Sequence, residues 1–546
     1  MADDAVAFPT LSAADMAAIA ELGTRRPIAK GEYLYREGDV TYDFFVVVSG
    51  AVEAVSTSGG TERVIARHGP GRFLGELNLL TGLRVFVSAR VVEPGEVLVV
   101  PRDDLRGIIS TRPGLGDVIL AAFMARRAIL MTGAASSIRI IGSGFSPESL
   151  RVREFLARSR IPSEWLDPDR DADVDVVLRE FGIDPSELPV VIVSGTVLRH
   201  PTLGTLAEYL GLTVESLPGR CFDLVVVGGG PAGLAAAVYG ASEGLTTLTV
   251  EKFSVGGQAG SSTRIDNYLG FPIGISGADL TQRAEIQAEK FGARLSNPCE
   301  AKSLREEAGH LIVALSDGSV VAGRAVVITS GARYRRLDVA RLGEFEGKGV
   351  YYAATEIEAR LCSAAPVVIV GGGNSAGQAA MFLADSGSPV TIVIRGPDLG
   401  ASMSRYLVDR IEAHPQVEVR TKSEIVGLDG DGSLSTVHIA GADGDTTVRC
   451  AALFSFIGAD PASQWVSGCA VLDERGFVVT DRSLRSEHLD DRWEALGRTP
   501  LPFETSQPGL FAAGDVRSGS TKRVAAAVGE GSACISSVHQ HLAFAH

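Results

Sequence analysis

Phe222-Asp-Leu-Val-Val-Val-Gly228-Gly-Gly230-Pro-Ala-Gly233 is the stretch on which the reading of this chain turns. Asp223 to Val227 is apolar and β-branched, the pattern of a strand buried on both faces. A helix of small residues follows the glycines, then a second strand from Thr246 to Val250 that ends at Glu251. The glycines allow a tight turn, close approach of backbone to a pyrophosphate, and close packing of helix on strand. The helix N-terminus supplies N–H donors and partial positive charge. Glu251 is placed to accept from a ribose hydroxyl. A glycine loop alone fits any strand-to-helix turn. With strand, helix and acid around it, the stretch predicts a dinucleotide site.

The pattern recurs downstream. The strand Val367-Val-Ile-Val370 runs into Gly371-Gly-Gly373-Asn374-Ser375-Ala376, then a helix and a strand from Val390 to Ile394. Here the second strand ends at Arg395. An acid in that place suits a free ribose hydroxyl and an arginine suits a 2′-phosphate, so the second unit predicts NADPH over NADH. Gly371, Gly373, Asn374, Ser375, Ala376 and Arg395 are its expected contacts.

Three further stretches are Gly256-Gly257-Gln258, Ile265-Asp266-Asn267-Tyr268 and Gly509-Leu-Phe-Ala-Ala-Gly514-Asp515. These resemble the flavin-binding segments of bacterial thioredoxin reductases. The resemblance implies FAD held by Gly228, Gly230, Gly233, Glu251, Gly257, Gln258 and Asn267, with Asp515 on the ribitol. It also implies a helix starting at Arg523, Val524 and Ala525 aimed at the isoalloxazine, where donors stabilise a reduced flavin. In that family adjacent arginines clamp the 2′-phosphate. Here Arg395 is followed by Gly396 and Pro397, with Arg405 as the substitute on the next helix. Flavin-binding sequence flanks the second unit, so an NAD(P) domain (335–456) reads as inserted into an FAD domain (220–334 and 457–546). Thr329-Ser330-Gly331 and Ile457-Gly458 are the expected hinges. The resemblance further implies a homodimer.

One departure matters most. Thioredoxin reductases carry Cys-x-x-Cys just before the second loop, where this chain reads Gly349-Val-Tyr-Tyr352-Ala353-Ala354-Thr355-Glu356. Ala353 and Glu356 stand at the cysteine positions, so no mixed disulfide with thioredoxin forms there and the catalytic residues are left open. Glu356 reads as a surface glutamate, with a proton donor as the alternative. Cys362, the nearest thiol, reads as a small buried hydrophobe. The expected function is electron transfer from NAD(P)H to FAD and on to a small-molecule or protein acceptor: a ferredoxin, a flavodoxin, a quinone or a partner's disulfide. Two alternatives stay open: a nucleotide- or redox-responsive signalling or scaffold protein with little turnover, and a thioredoxin-disulfide reductase working through another thiol.

Toward the N-terminus, glycine-separated runs over 30–100 (Tyr42 to Val48, Gly50 to Val55, Gly95 to Val100) predict a small antiparallel barrel or jelly roll. Leu105, Ile108, Ile109, Val118, Ile119, Ala122 and Phe123 form a helical apolar stripe behind it. Phe73-Leu-Gly75-Glu76-Leu-Asn-Leu-Leu80 resembles the phosphate-binding cassette of cyclic nucleotide-binding domains. That resemblance implies a domain over 1–131 with Gly75, Glu76 and Ser88 on pattern and a cyclic nucleotide as ligand. The family's arginine position holds Val85, and Arg84 sits one residue early. The bland alternative is a barrel kept for docking or dimerisation.

Between these regions, Ile138-Arg-Ile-Ile, then Phe145-Ser146-Pro147-Glu148-Ser149, an amphipathic helix (Leu150, Val152, Phe155, Leu156) and Leu188-Pro189 before Val190-Val-Ile-Val193 resemble a thioredoxin or glutaredoxin opening over 138–217. Serines stand at the Cys-Pro-x-Cys positions, so this domain is expected to be redox-silent. The acidic run from Asp167 to Asp175 reads as a solvated loop, since it lacks the glycine and distal glutamate of a calcium loop.

The fold class is therefore multidomain: a β-barrel with helices, a small α/β domain, and two Rossmann-like domains. Chains joining a cyclic nucleotide-binding-like domain to a thioredoxin reductase-like module form a bacterial group that this one resembles. Length agrees, since 546 residues exceed what one core supports. A net charge of −15 argues against nucleic acid and anionic membrane as partners. Six cysteines with no C-x-x-C pair indicate neither a disulfide framework nor a zinc site, and no metal is expected. Asp3 and Asp4 stand where a signal peptide carries basic residues, and no apolar run reaches membrane-spanning length, so a cytoplasmic protein is expected.

Overall fold

The computed structural model describes residues 4–58, 61–132, 138–171, 174–213, 221–262, 264–265, 267–346, 348–352, 354, 362, 364–442 and 444–544. The first body is a six-stranded antiparallel sheet rolled around Phe44 and Phe73, which meet Phe123 of the helix Pro113–Thr132 at 6.4 and 6.2 Å between ring centres. The two expected runs at Tyr42 and Gly50 are one strand, Phe44–Ser58, which shifts register at Ser49 and Ala51 as it bends. The apolar stripe behind it is also corrected. It is divided between two helices, Arg102–Thr111 and Pro113–Thr132, because the residue before a proline is pushed out of helical geometry and Arg112 sits at φ −123°, ψ 78°. Val118 consequently faces outward at 37% exposure, while the other six positions are buried.

The second body is a four-stranded sheet in the order Thr196–Arg199, Val190–Val193, Ile138–Ile141, Glu164–Leu166. Its first helix, Pro147–Arg158, is capped by Ser146, whose Oγ accepts from the Ser149 N–H at 3.3 Å. Val152, Phe155 and Leu156 are buried beneath it, and the Leu188–Pro189 peptide is cis. The acidic segment is not simply solvated. Asp167 is 4% exposed, its Oδ1 accepts from the Asp169 N–H, and its own N–H donates to Asp171. These carboxylates close a turn.

The remainder is built on a mixed seven-stranded sheet and a parallel five-stranded sheet, with a small antiparallel sheet over 423–449 beside the second. The seven-stranded sheet has Cys221–Val227 at its centre, parallel to Thr247–Val250 on one side and Val320–Ile328 on the other. Val225, Val226 and Val227 are all buried, as expected of a strand covered on both faces. Leu510–Ala512 returns late in the chain to pair with Val320–Ile328. The five-stranded sheet is built from Val350–Tyr351, Ala452–Ser455, Val367–Val370, Val390–Val393 and Val417–Arg420. The two chain crossings between the sheets pair with each other: Ala332–Tyr334 runs antiparallel to Ala459–Pro461. A narrow ribbon thus joins the layers. Among the described residues no helix is long and apolar enough to cross a membrane.

The helix Gly277–Lys290 ties the seven-stranded layer to the barrel. Its Ile286 enters the barrel's core. Its Glu285 and Glu289 face Arg127, and Glu289 also faces Arg102 and Arg106; burial pushes both carboxyls up. The barrel's Leu83 and Phe86 in turn enter the core of the second body, against which Phe253 of the seven-stranded layer also packs.

Candidate active site

One cavity of about 2180 Å³ lies where these bodies meet. Gly228 turns out of the first strand at φ +116°, where an added Cβ would lie 2.3 Å from the Thr329 carbonyl oxygen. At Gly233 it would lie 1.8 Å from the Gly228 oxygen, so helix and strand touch there. Gly230 is different. Its φ is an ordinary −76°, and a Cβ would meet no protein atom closer than 3.9 Å. Gly373, the corresponding residue of the second loop, has φ −91° and open space within 4 Å. Nothing in the protein demands glycine at these two positions, whereas a pyrophosphate lying against the backbone does. Both helices that follow, Pro231–Ser242 and Asn374–Asp385, begin without a side-chain cap, leaving N–H groups for an anion. The residues present therefore fit two dinucleotides.

The carboxylate of Glu251 accepts from the N–H groups of Gly229 (2.6 Å) and Phe253 (3.0 Å), while burial pushes its pKa up. It lines the cavity with Gly228, Gly230, Gly257, Gln258 and Asn267. Gln258 donates from Nε2 to the Ala332 carbonyl, pinning its loop to the connecting ribbon. Asp515 follows the late strand into the cavity, its carboxyl raised by burial against the opposing pull of Lys522. Arg523 and Val524 line the wall at the start of the helix Val524–Phe544, and Ala525 is exposed one residue on.

In the second unit Gly371 takes φ +136°, and a Cβ there would lie 2.4 Å from the Phe456 oxygen. Asn374 accepts at Oδ1 from the Ser404 N–H (2.7 Å), and Asn374 and Ser375 face the same cavity as the first unit. Ala376 is buried behind them. Arg395 stands exposed beyond the tip of Val390–Val393, outside the cavity wall, and Arg405 pairs with Asp409 at 2.8 Å.

The pyridine nucleotide-disulphide oxidoreductase family matches residues 222–531, more than half of the chain. The chain belongs to that family. A cyclic nucleotide-binding domain matches residues 25–112. A thioredoxin reductase of Streptomyces clavuligerus is 31% identical over 325 residues, 59% of this chain and 94% of that protein. A Clostridium pasteurianum protein described as a 34.2 kDa protein in the rubredoxin operon is 30% identical over 57% of this chain and 93% of its own. Among solved structures, the thioredoxin reductases of T. acidophilum (27% identity, TM-score 0.53) and Lactococcus lactis (25%, TM-score 0.52) each align over 59% of this chain and 99% of theirs. The protein is an FAD-dependent NAD(P)H oxidoreductase with a cyclic nucleotide-binding domain ahead of it.

Ala353 and Glu356 lie outside the described residues. The oxidoreductase's six cysteines form no disulfide. Burial pushes the thiols of Cys221 and Cys469 up, and those of Cys299 and Cys450 to about 12. Cys534, fully buried, is raised as well. Cys299 borders the cavity but is 4% exposed, and Cys362 is 3% exposed. The cavity wall at Tyr352 is aromatic and ionic. Tyr352 donates to Glu346 at 2.7 Å, its hydroxyl raised to about 12 by burial and then by that bond, and Arg336 pairs with the same carboxylate. No local motif marks these residues in the sequence.

In the oxidoreductase's barrel, Glu76 is 5% exposed, accepts from Asn78 at 3.1 Å and lies 3.9 Å from Arg127. Ser88 accepts at Oγ from the Glu37 N–H. Arg84 points away from the cassette at Gly75. It donates to the Gly38 carbonyl (2.8 Å) and to the Tyr209 carbonyl, with its guanidinium 4.5 Å from the Tyr209 ring centre. Val85 is core. A residue the sequence did not flag fills the cassette: Arg126, which donates to the carbonyls of Ala7 (2.8 Å), Gly75 (2.5 Å) and Phe73 (3.1 Å). With Phe8, Tyr35 and His68 beside it, about 40 Å³ of free space is left, whereas a bound ligand of nucleotide size needs roughly 300 Å³ or more.

Proposed function

We propose that this oxidoreductase passes electrons from NAD(P)H through FAD to an external acceptor, with no disulfide of its own in the path. Bound FAD and NAD(P)H supply the hydride chemistry. The chain's part is to bind and orient. The uncapped helix at Pro231 receives the FAD pyrophosphate, Glu251 the adenosine ribose and Asp515 the ribitol. The loop from Gly371 to Ala376 receives the second dinucleotide. The paired strands Ala332–Tyr334 and Ala459–Pro461 are the axis on which the NAD(P) domain turns toward the flavin.

The observation that carries this reading is one cavity lined by the first glycine cradle and by Asn374 and Ser375 at the end of the second, together with an absent sulfur relay. Gly349 to Glu356 contains no cysteine, and five of the six thiols are pushed away from the thiolate form that exchange requires. The acceptor is a small molecule or a redox protein. The Clostridium relative's name adds rubredoxin to the ferredoxins, flavodoxins, quinones and disulfides to be screened. A variant with all six cysteines replaced by serine is expected to keep NADPH-driven flavin bleaching and acceptor turnover within about threefold of wild type. Loss of turnover with flavin retained would restore a thiol to the path. An unchanged flavin spectrum in wild type under anaerobic NADPH would favour a scaffold.

Arg395 is proposed as the 2′-phosphate contact. A charge-assisted contact is worth about 1.5–3 kcal/mol, so Arg395→Ala should raise KM for NADPH roughly 10- to 100-fold and leave KM for NADH within about twofold. The barrel, its cassette filled by Arg126 and its Arg84 committed to Tyr209, is proposed as a packing body for the flavin domain. Calorimetry with 3′,5′-cyclic AMP or GMP is expected to give no heat of binding at roughly millimolar ligand, weaker than any pocket built for them. A homodimer is also proposed, with Leu269 (92% exposed) and Ile273 (81%) as apolar contacts for a second copy.

A further inference from the structure

Residues 138–213 lie outside both matched families, yet their first helix forms part of the flavin cavity. Leu150, Arg153, Ala157 and Arg158 of the helix Pro147–Arg158 line the same space as Gly230 and Glu251. Three independent contacts hold that helix and its surroundings in place. Phe155 meets Phe253 edge to face at 5.7 Å, the Arg160 guanidinium lies 3.4 Å from Asp279, and the Asn297 N–H donates to the Leu212 carbonyl at 3.2 Å. Arg158 reaches the glycine loops. Its Nη2 donates to the Gly257 carbonyl at 2.9 Å, and its guanidinium lies 5.2 Å from the Phe253 ring centre. Gly257 is itself pressed on the phosphate loop, since a Cβ there would lie 2.9 Å from Gly230 Cα.

The charges at this end of the cavity show why a cation from outside is useful. FAD brings a doubly negative pyrophosphate. The flavin domain's own lysines here, Lys252 and Lys302, are both held by Glu300, at 2.6 and 2.5 Å. Glu251 adds further negative charge beside the glycine loop. A guanidinium has five donors in a fixed fork; the bond to Gly257 uses one, and Nη1 lies 3.6 Å from Glu154 one turn back, which leaves donors for a ligand. We propose that the helix Pro147–Arg158 is the third wall of the FAD site, with Arg158 binding the dinucleotide across its pyrophosphate–ribose segment. The redox-silent domain is then a cofactor clamp. FAD bridges it to the flavin domain, so cofactor binding and docking of this domain stabilise each other.

The test uses flavin-stripped full-length protein, titrated with FAD by calorimetry and by quenching of flavin fluorescence, which needs no turnover. Wild type should bind FAD, Arg158→Gln should bind about 10-fold or more weakly, Arg158→Glu more weakly still, and Arg158→Lys should lose less than Arg158→Gln. FAD added to wild type should slow amide hydrogen exchange across 147–158. Equal affinity in Arg158→Gln and wild type would overturn the proposal, as would exchange over 147–158 that is indifferent to FAD. If Arg158→Glu fails to fold, the isosteric Gln variant and the exchange experiment still decide. Wild type that takes up no FAD would instead contradict the cofactor assignment itself.

Discussion

Gly230→Ala should yield protein that folds with the stability of wild type and carries no flavin. An alanine at φ −76° is unstrained, and its Cβ would stand 3.9 Å from the nearest protein atom, Gly257 Cα. The methyl group therefore meets nothing in the apo protein, and the lower entropy of the unfolded chain offsets what alanine loses to glycine as the N-cap. What it fills is the space against which a pyrophosphate lies. Losing backbone contact with two phosphate charges should weaken FAD at least 100-fold, about 3 kcal/mol. Gly373→Ala should act in the same way on the second dinucleotide: a yellow protein, normally folded, that NADPH no longer bleaches. Gly233→Ala is the contrasting control. Its Cβ would lie 1.8 Å from the Gly228 oxygen and 2.7 Å from Thr329 Oγ1, and the Gly228 backbone is anchored to Val250 and Thr329. That variant should lose stability and flavin together. Absorbance at the flavin band and thermal unfolding of the stripped proteins separate the two outcomes.

Glu504→Ala should cause the largest loss of stability in the flavin domain. Glu504 is fully buried and accepts from the N–H groups of Leu501 (2.8 Å) and Gly509 (3.0 Å). Arg498, 9% exposed at its side chain, grips both carboxylate oxygens at 2.6 and 2.9 Å. Removing one partner of such a pair strands a buried charge and costs about 3–5 kcal/mol. At roughly 2–4 °C per kcal/mol for a domain of this size, the melting temperature should fall by about 10 °C. The consequence reaches function because Gly509 leads directly into Leu510–Ala512, the strand that delivers Asp515 to the cavity. Flavin release, followed by fluorescence on heating, should shift with unfolding. Glu504→Gln keeps an acceptor for one of the two N–H groups, sets its NH2 against the other, and should lose less than the alanine variant.

The dinucleotide loops were legible because pyrophosphate chemistry dictates residue types at fixed spacing; in the structure Gly228 and Gly371 turn out of their strands at positive φ, and Gly230 and Gly373 have open space beside them. Longer-range facts were not. Arg84 could be seen to sit one residue off the cassette pattern, but Tyr209, which receives it, lies 125 residues away. Arg126 and Arg158 sit on ordinary-looking helices, and only tertiary packing aims them at Gly75 and Gly257. Val118 falls off the apolar stripe because one helical period cannot run through Arg112-Pro113, where the first helix stops. The continuity of the strand Phe44–Ser58 is hidden in the sequence because a glycine within an apolar run looks like a turn until its partner strand is known.

Anaerobic titration of the purified holoprotein with NADPH tests the central claim most directly. FAD takes up two electrons and a protein disulfide in the path would take up two more. If this chain carries no redox-active disulfide, one equivalent of NADPH per flavin bleaches it completely and further NADPH changes nothing. A requirement for two equivalents per flavin would contradict the account.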